Sequence, residues 1–208
     1  MTQPDDPPLV LVVDDDDAVR QALDSLLRSV GYRAQVFSTA DELLDSGLAP
    51  EGNCLILDIR LPVVSGLELQ LRLSGEDFQV PVIFLTGHGD IPMTVRAMKA
   101  GAVDFLPKPV REQEMLDAVG AAIERDRTRR ATEAAQADLR TRFASLSARE
   151  REIMILATRG LMNKQIASQL GLSEITVKIH RGKAMQKMAA RSFASLVQMA
   201  EMLGLHAR

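Results

Sequence analysis

The sequence predicts an α/β domain built on a doubly wound, five-stranded parallel sheet, joined by a long helix to a smaller all-α, four-helix helix-turn-helix unit. Three observations carry this. Up to about residue 123, five short apolar runs alternate with segments of helical period, the pattern of a parallel sheet covered on both faces. After Phe143 the pattern is helical throughout. Charge divides along the same line: residues 1–123 carry 20 Asp and Glu against 9 Lys and Arg, and residues 124–208 carry 8 against 16.

Taken in order, Leu9–Val13 is a continuous apolar run, as a strand buried on both faces requires. Val19, Ala22, Leu23, Leu26, Leu27 and Val30 recur at helical spacing, and Gly31 ends that helix. Tyr32–Phe37 reads as the second strand, and Ser38, with Asp41 three positions on, opens a short helix. Cys54–Asp58 is the third strand and ends on a carboxylate. Pro62 and Gly66 punctuate a loop before the helical Leu67–Leu73. Val80–Thr86 is the fourth strand, and the helical Pro92–Ala100 is stopped by Gly101. Val103–Leu106 is the fifth strand, followed by Pro107, Lys108 and Pro109, and a further helix starts near Arg111.

Residues 111–143 contain no proline, have Gly120 as their only glycine and are rich in helix formers. Leu116, Val119, Ile123, Ala134, Leu139 and Phe143 make an interrupted apolar stripe. Arginines stand where a coiled-coil seam would need apolar residues, so a solvated connecting helix is the better reading. Beyond it, Ser147 with Glu150 forms a capping box before Ile153–Thr158, and Gly160 closes that helix. Asn163 caps Lys164–Leu170, closed by Gly171; Ser173 opens Glu174–Met188; Ser192 opens Phe193–Leu203. The expected organisation is a disordered N-terminus over 1–8, an α/β domain over 9–123, a helical linker over 124–143 and a helix-turn-helix domain over 144–208.

Composition narrows the function classes. Apolar residues make up 46% of the 208, enough for a proper core, yet no run approaches the roughly 20 residues of a membrane span. The acidic, proline-rich start lacks the features of a signal peptide. A single cysteine, Cys54, excludes an internal disulfide and suits a reducing compartment, so a cytoplasmic location is expected, with no membrane partner. Trp is absent and aromatics are scarce, which argues against a base-stacking platform for single strands. An acidic half followed by a basic half suggests two partners of different kinds, the basic half being the candidate for a polyanion, most simply nucleic acid.

In a doubly wound sheet, ligands bind beyond the carboxyl ends of the strands. The first strand ends there at Asp14 and Asp15, the third at Asp58 and the fourth at Thr86, while Lys108 follows the fifth. Three carboxylates in one pocket repel one another and need a cation to stay ionised. Oxygen-only ligands with an incomplete shell suit Mg2+ or Mn2+. A phosphoryl group would complete the coordination, with Lys108 balancing its charge and Thr86 donating a hydrogen bond. Asp58, alone on the central strand, is the natural acceptor. By itself, Asp14–Asp17 would read equally well as an acidic loop with a helix cap, and Asp16 and Asp17 are assigned that capping role. Cys54 reads as a small buried apolar residue, and His88 as a loop histidine.

VVDDDDAVR, LILDIRLPVVSGLEL and VIFLTGHGDIPMTVRAMKAGAVDFLPKP together resemble the receiver domain of two-component response regulators over about residues 9–123. The resemblance implies that Asp58 accepts a phosphoryl group from a sensor histidine kinase. It implies that Asp15, Asp58 and the backbone carbonyl of Arg60 hold Mg2+, with Asp14 acting through water. It makes Thr86 and Phe105 a switch pair, where the residues alone make Phe105 a core aromatic. It makes Lys108–Pro109 a cis peptide.

In the basic half, Lys164–Leu170, a glycine turn and Glu174–Met188 form a helix-turn-helix pattern. Residues 148–208 carry 10 basic and 4 acidic side chains, which favours DNA over a protein-docking module. Ile175, Lys178, Ile179, Gly182, Lys183 and Gln186 share one helical face; Val177, Ala184, Met185 and Met188 lie on the other and suit the core. His180 has no cysteine or carboxylate partner and is assigned packing or a phosphate contact. The stretch LSAREREIMILATRGLMNKQIASQLGLSEITVKIHRGKAMQKMAARSFASLVQMA resembles the LuxR-type DNA-binding domain, and the whole chain resembles the FixJ branch of the NarL/FixJ regulators. That resemblance implies that Lys178, Ile179 and Gly182 face bases, and that Lys164, Thr176, Arg181 and Lys183 contact or approach phosphates. Gly182 departs from a helix-favouring choice inside the recognition helix.

The implied function is a transcription factor, not an enzyme. Phosphorylation of Asp58 pairs two receivers through the face spanning about residues 91–106, giving a homodimer that binds a double-stranded DNA operator. An aspartyl-phosphate hydrolase would also use Asp, Thr, Lys and Mg2+, but resembles a pattern with a second Asp two positions after the nucleophile, where this chain has Arg60. The other alternative is a module whose receiver acts only as a dimerisation surface.

Overall fold

The computed structural model describes residues 6–62, 65–74, 78–87, 98 and 101–205. The chain divides into two compact units, Met1–Arg129 and Arg130–Arg208.

Among the described residues the first unit holds one sheet with strands β1 Leu9–Val13, β2 Arg33–Phe37, β3 Cys54–Asp58, β4 Val82–Thr86 and β5 Asp104–Pro107. All neighbours are parallel and the order is β2-β1-β3-β4-β5. Alternation along each strand divides the core. Leu11, Val13, Leu55, Leu57, Val82 and Phe84 pack on one face with Leu43 of helix α2 (Ala40–Asp45) and Leu69 and Leu73 of α3 (Gly66–Ser74). Val10, Val12, Cys54, Ile56, Ile83 and Leu85 pack on the other with Leu23 and Leu27 of α1 (Asp17–Ser29). Met115, Val119 and Ala122 of α4 (Glu112–Ala144) complete that layer. β1, β3 and β4 are buried along their whole length, which is why they are continuous apolar runs rather than alternating ones. Cys54 is buried, and burial pushes its thiol pKa up, away from thiolate chemistry.

Some elements differ from the sequence expectation. The cap of α2 is Thr39, whose hydroxyl accepts from the Glu42 N–H at 3.2 Å; the Ser38 hydroxyl instead donates to the Glu42 carboxylate at 2.8 Å. A 3-10 turn over Ala49–Glu51 has no counterpart in the sequence reading. Gly66 is more than loop punctuation: a β-carbon there would overlap the carbonyl oxygen of Asp58, so glycine lets α3 start against the end of β3. The helix expected over Pro92–Ala100 lies outside the described residues except for Met98, which is helical. His88 and residues 1–5 of the expected disordered start also lie outside them.

One buried polar network had no sequence signal. Asn53, just before β3, accepts the Leu9 N–H at 2.8 Å and donates to the fully buried Asp126 of α4 at 2.9 Å. Arg129 donates to the same carboxylate at 2.5 Å. Asp126 thereby ties α4 to the starting ends of β1 and β3.

In the second unit, the end of α4 contributes Leu139 to a core with Leu146, Met154, Ala184, Met188 and Leu196. Helices α5 (Ala148–Thr158), α6 (Asn163–Leu170), α7 (Glu174–Lys187) and α8 (Phe193–Met202) follow. Ser147 and Glu150 form the capping box of α5, while Ser173 and Ser192 cap α7 and α8. Asn163 does not cap α6. It is the first helical residue; the Met162 N–H is taken by the Gln165 side chain at 2.8 Å, and the Asn163 side-chain Oδ1 is used elsewhere. Gly171 ends α6 at φ 64°, a left-handed turn natural to glycine. No described helix is long and apolar enough to cross a membrane.

Candidate functional site

The sheet brings Asp14, Asp15, Asp58, Thr86 and Lys108 to one edge. Asp14 follows β1 and Asp58 ends the adjacent β3; Thr86 ends β4 and Lys108 follows β5, whose Pro107 is in register with Thr86. The Lys108 N–H donates to the Thr86 carbonyl at 2.7 Å, and the Lys108–Pro109 peptide bond is cis. Asp14 is 0% exposed and Asp58 6%, whereas Asp15 faces solvent.

Each of the two buried carboxylates divides its oxygens between backbone and cation. Asp14 accepts the Asp16 N–H at 3.0 Å on one oxygen and the Lys108 ammonium at 2.5 Å on the other. Asp58 accepts the Arg60 N–H at 2.9 Å and the same ammonium at 2.6 Å. Burial raises the Asp14 pKa, opposed by the hydrogen bonds from Lys108 and Asp16, while the nearby Asp58 charge adds to the rise. For Lys108, burial works against the ammonium, but the hydrogen bonds and charges of Asp14 and Asp58 outweigh it, so its pKa is raised. Lys108 therefore stays a cation at neutral pH.

Asp14, Asp15 and Asp58 each present a carboxylate oxygen within 4.8 Å of one another. The donor set is all oxygen and open to solvent at Asp15, which suits a hard divalent ion such as Mg2+ that keeps several waters. The contact found for Arg60 is through its N–H; its side chain is exposed. Thr86 is buried, and Phe105 is half-buried against the Leu57 and Phe84 core layer.

The second unit presents a different surface. Every residue of the face identified on α7, namely Ile175, Lys178, Ile179, Gly182, Lys183 and Gln186, is exposed. Val177, Ala184 and Met188 are buried, and Met185 is partly buried. Lys164 on α6 is exposed as well. Two residues of the expected set are engaged within the unit. The Thr176 hydroxyl is 2.8 Å from that of the cap Ser173. The Arg181 guanidinium donates to the side-chain Oδ1 of Asn163 at 3.2 Å and stacks 4.1 Å from the centroid of Phe193. His180 is half-buried in the helix. Lys187, which no sequence motif singles out, donates to Glu150 at 2.6 Å and to the Ser145 carbonyl at 3.3 Å. These bonds hold the Glu150 carboxyl down to about 2, the Lys187 ammonium being the first cause and the Ser147 N–H the second.

Comparison with known proteins finds relatives of both domains. Residues 10–120 match the response regulator receiver domain, and residues 144–200 match the luxR family of bacterial regulatory proteins. Nodulation protein W of Bradyrhizobium diazoefficiens is 55% identical over 96% of this chain and 88% of its own length. The transcriptional regulatory protein FixJ of the same organism is 38% identical over 94% and 96%. Among solved structures, response regulator StyR has 49% identity and a TM-score of 0.86 over 94% of this chain and 98% of its own. Full-length FixJ from B. japonicum has 37% identity and a TM-score of 0.58 over 95% and 98%. With a receiver domain and a LuxR-type helix-turn-helix matched in one chain, alongside relatives named as a transcriptional regulatory protein and a response regulator, the protein belongs to the NarL/FixJ family of DNA-binding two-component response regulators.

Proposed function

We propose that a sensor histidine kinase phosphorylates Asp58, and that the phosphorylated protein dimerises and binds an operator in double-stranded DNA. The observation that carries this is the Lys108 ammonium bridging Asp14 and Asp58 at the carboxyl edge of the sheet. A carboxylate beside a fixed cation and two further carboxylates can take on more negative charge only where that charge is met. Lys108 meets part of it, and Asp14, Asp15 and Asp58, with the Arg60 carbonyl, would hold the Mg2+ that neutralises the rest. The attacking Asp58 oxygen forms the new P–O bond as the bond from phosphorus to the donor breaks. Thr86 donates to a phosphoryl oxygen, and Phe105 responds as the switch partner. Pairing of two receivers through residues 91–106 sets two α7 helices on the half-sites of one operator. Lys164, Lys178 and Lys183 meet phosphates or base edges, with Ile179 and Gly182 facing the groove and Thr176 at the helix start. Arg181 serves by fixing α7 against α6 and α8.

The experiment is phosphoryl uptake from a small-molecule donor, acetyl phosphate with Mg2+. Wild type takes up one phosphoryl group and Asp58→Asn takes up none; uptake by Asp58→Asn rejects the acceptor. DNA affinity of beryllofluoride-treated protein falls steeply with salt, and a flat salt response rejects the phosphate contacts.

A further inference from the structure

The reading face of α7 is unusual in where its charge lies. Successive residues of a helix turn by about 100°, so Ile175, Ile179, Gly182 and Gln186 fall within about 60° of one another around the axis. Lys178 lies about 40° outside this strip on one side and Lys183 about 40° outside on the other. The centre of the exposed face therefore carries no charge, and the cations stand at its borders.

The strip is also built against helix stability. Ile175 is 73% exposed and Ile179 53% exposed, so neither β-branched side chain gains core burial in return for its lower helix propensity. Gly182 is the least helix-favouring residue short of proline, and the domain itself does not require it. A β-carbon there meets nothing within 4 Å, and the backbone is right-handed. Single exposed apolar residues are ordinary on protein surfaces. Here two isoleucines and a glycine that folding does not need share one narrow strip between two lysines.

The geometry points to apolar readout of thymine: Ile175 and Ile179 grip thymine C5-methyl groups in the major groove, and Gly182 lets the helix backbone approach the base edges. The inference rests on α7 entering DNA and adds Ile175 as a specificity-determining residue. The C5-methyl is the one apolar feature that base pairs show in the major groove. Ile175 and Ile179 are about 6 Å apart along the axis, close to two base steps of about 3.4 Å. Lys178 and Lys183, on the borders, are placed for the phosphates on the two walls of the groove.

The test uses the full-length chain with beryllofluoride and Mg2+. Duplexes are selected from a random pool made with thymidine, then resynthesised with 2′-deoxyuridine, which lacks only the methyl. Affinity is expected to fall about fourfold for each contacted thymine. Ile175→Ala and Ile179→Ala each remove one share of that loss while leaving the salt dependence unchanged. Gly182→Ala melts no lower than wild type yet binds the selected duplexes at least about tenfold more weakly. Equal binding of thymine and uracil duplexes, or a full uracil penalty retained in both isoleucine variants, overturns the proposal while α7 still binds DNA. If no duplex binds even at low salt, the entry of α7 into DNA falls with it.

Discussion

The Lys108 ammonium lies 2.6 Å from the Asp58 carboxylate, a residue 50 positions earlier in the chain and two strands away in the sheet. The pair exists only because β3, β4 and β5 run parallel and end together. Removing the cation leaves Asp14 and Asp58 buried beside each other with like charge. Lys108→Met is expected to destabilise the first unit by about 3 kcal/mol in metal-free buffer, and to cut phosphoryl uptake. Added Mg2+ should recover part of the stability. Urea unfolding with and without Mg2+ measures both, and an unchanged midpoint would show that the ion pair contributes nothing net.

Two glycines should respond to alanine with opposite signs. At Gly66 the new methyl overlaps the Asp58 carbonyl, so Gly66→Ala is expected to cost about 1–3 kcal/mol and slow phosphoryl uptake without altering any charge. At Gly182 the methyl enters open space, and Gly182→Ala is expected to stabilise the second unit by about 0.5–1 kcal/mol. Thermal melts of the two variants decide the matter.

The capping box of α5 should make the second unit acid-sensitive. Lys187 and the Ser147 N–H hold the Glu150 carboxyl at about 2 in the folded state, below its ordinary value of 4.5. The unfolded chain therefore binds the proton first. The contribution to stability is present above about 4.5 and is lost as pH falls toward 2. Glu150→Gln should flatten this acid limb in denaturation curves taken between these limits; an identical limb in the variant would assign the sensitivity elsewhere.

Arg181 and Lys183 should separate stability from DNA contact. Arg181 is held by Asn163 and Phe193, so Arg181→Ala should lower the melting temperature while leaving the slope of log affinity against log salt nearly unchanged. Lys183 is exposed, so Lys183→Ala should leave melting unchanged and reduce the slope by about 0.9. A drop in slope for Arg181→Ala would place its guanidinium on a phosphate.

Much of this organisation is written locally in the chain. Strands buried on both faces need unbroken apolar runs, so β1, β3 and β4 were legible, and with them the polar residues at their ends. The α7 face was legible because a 3.6-residue period separates Val177, Ala184 and Met188 from Lys178 and Lys183. Capping at Ser147 and Ser173 follows from side chains reaching N–H groups three residues on.

What the tertiary structure alone decided are the side chains whose partner is distant and whose alternative partner is local. Asn163 had the residue type of a cap, yet its oxygen serves Arg181, 18 positions away. Arg181, which the family resemblance aims at phosphates, is also held by Asn163 and Phe193, and Lys187, which no motif singles out, reaches Glu150. Asp126 read as one more charge on a solvated helix and is buried beneath Asn53, 73 residues earlier. Periodicity reports which face of an element is dry. It does not report which of two competing hydrogen bonds a polar side chain makes, because that choice depends on what the fold brings within about 3 Å.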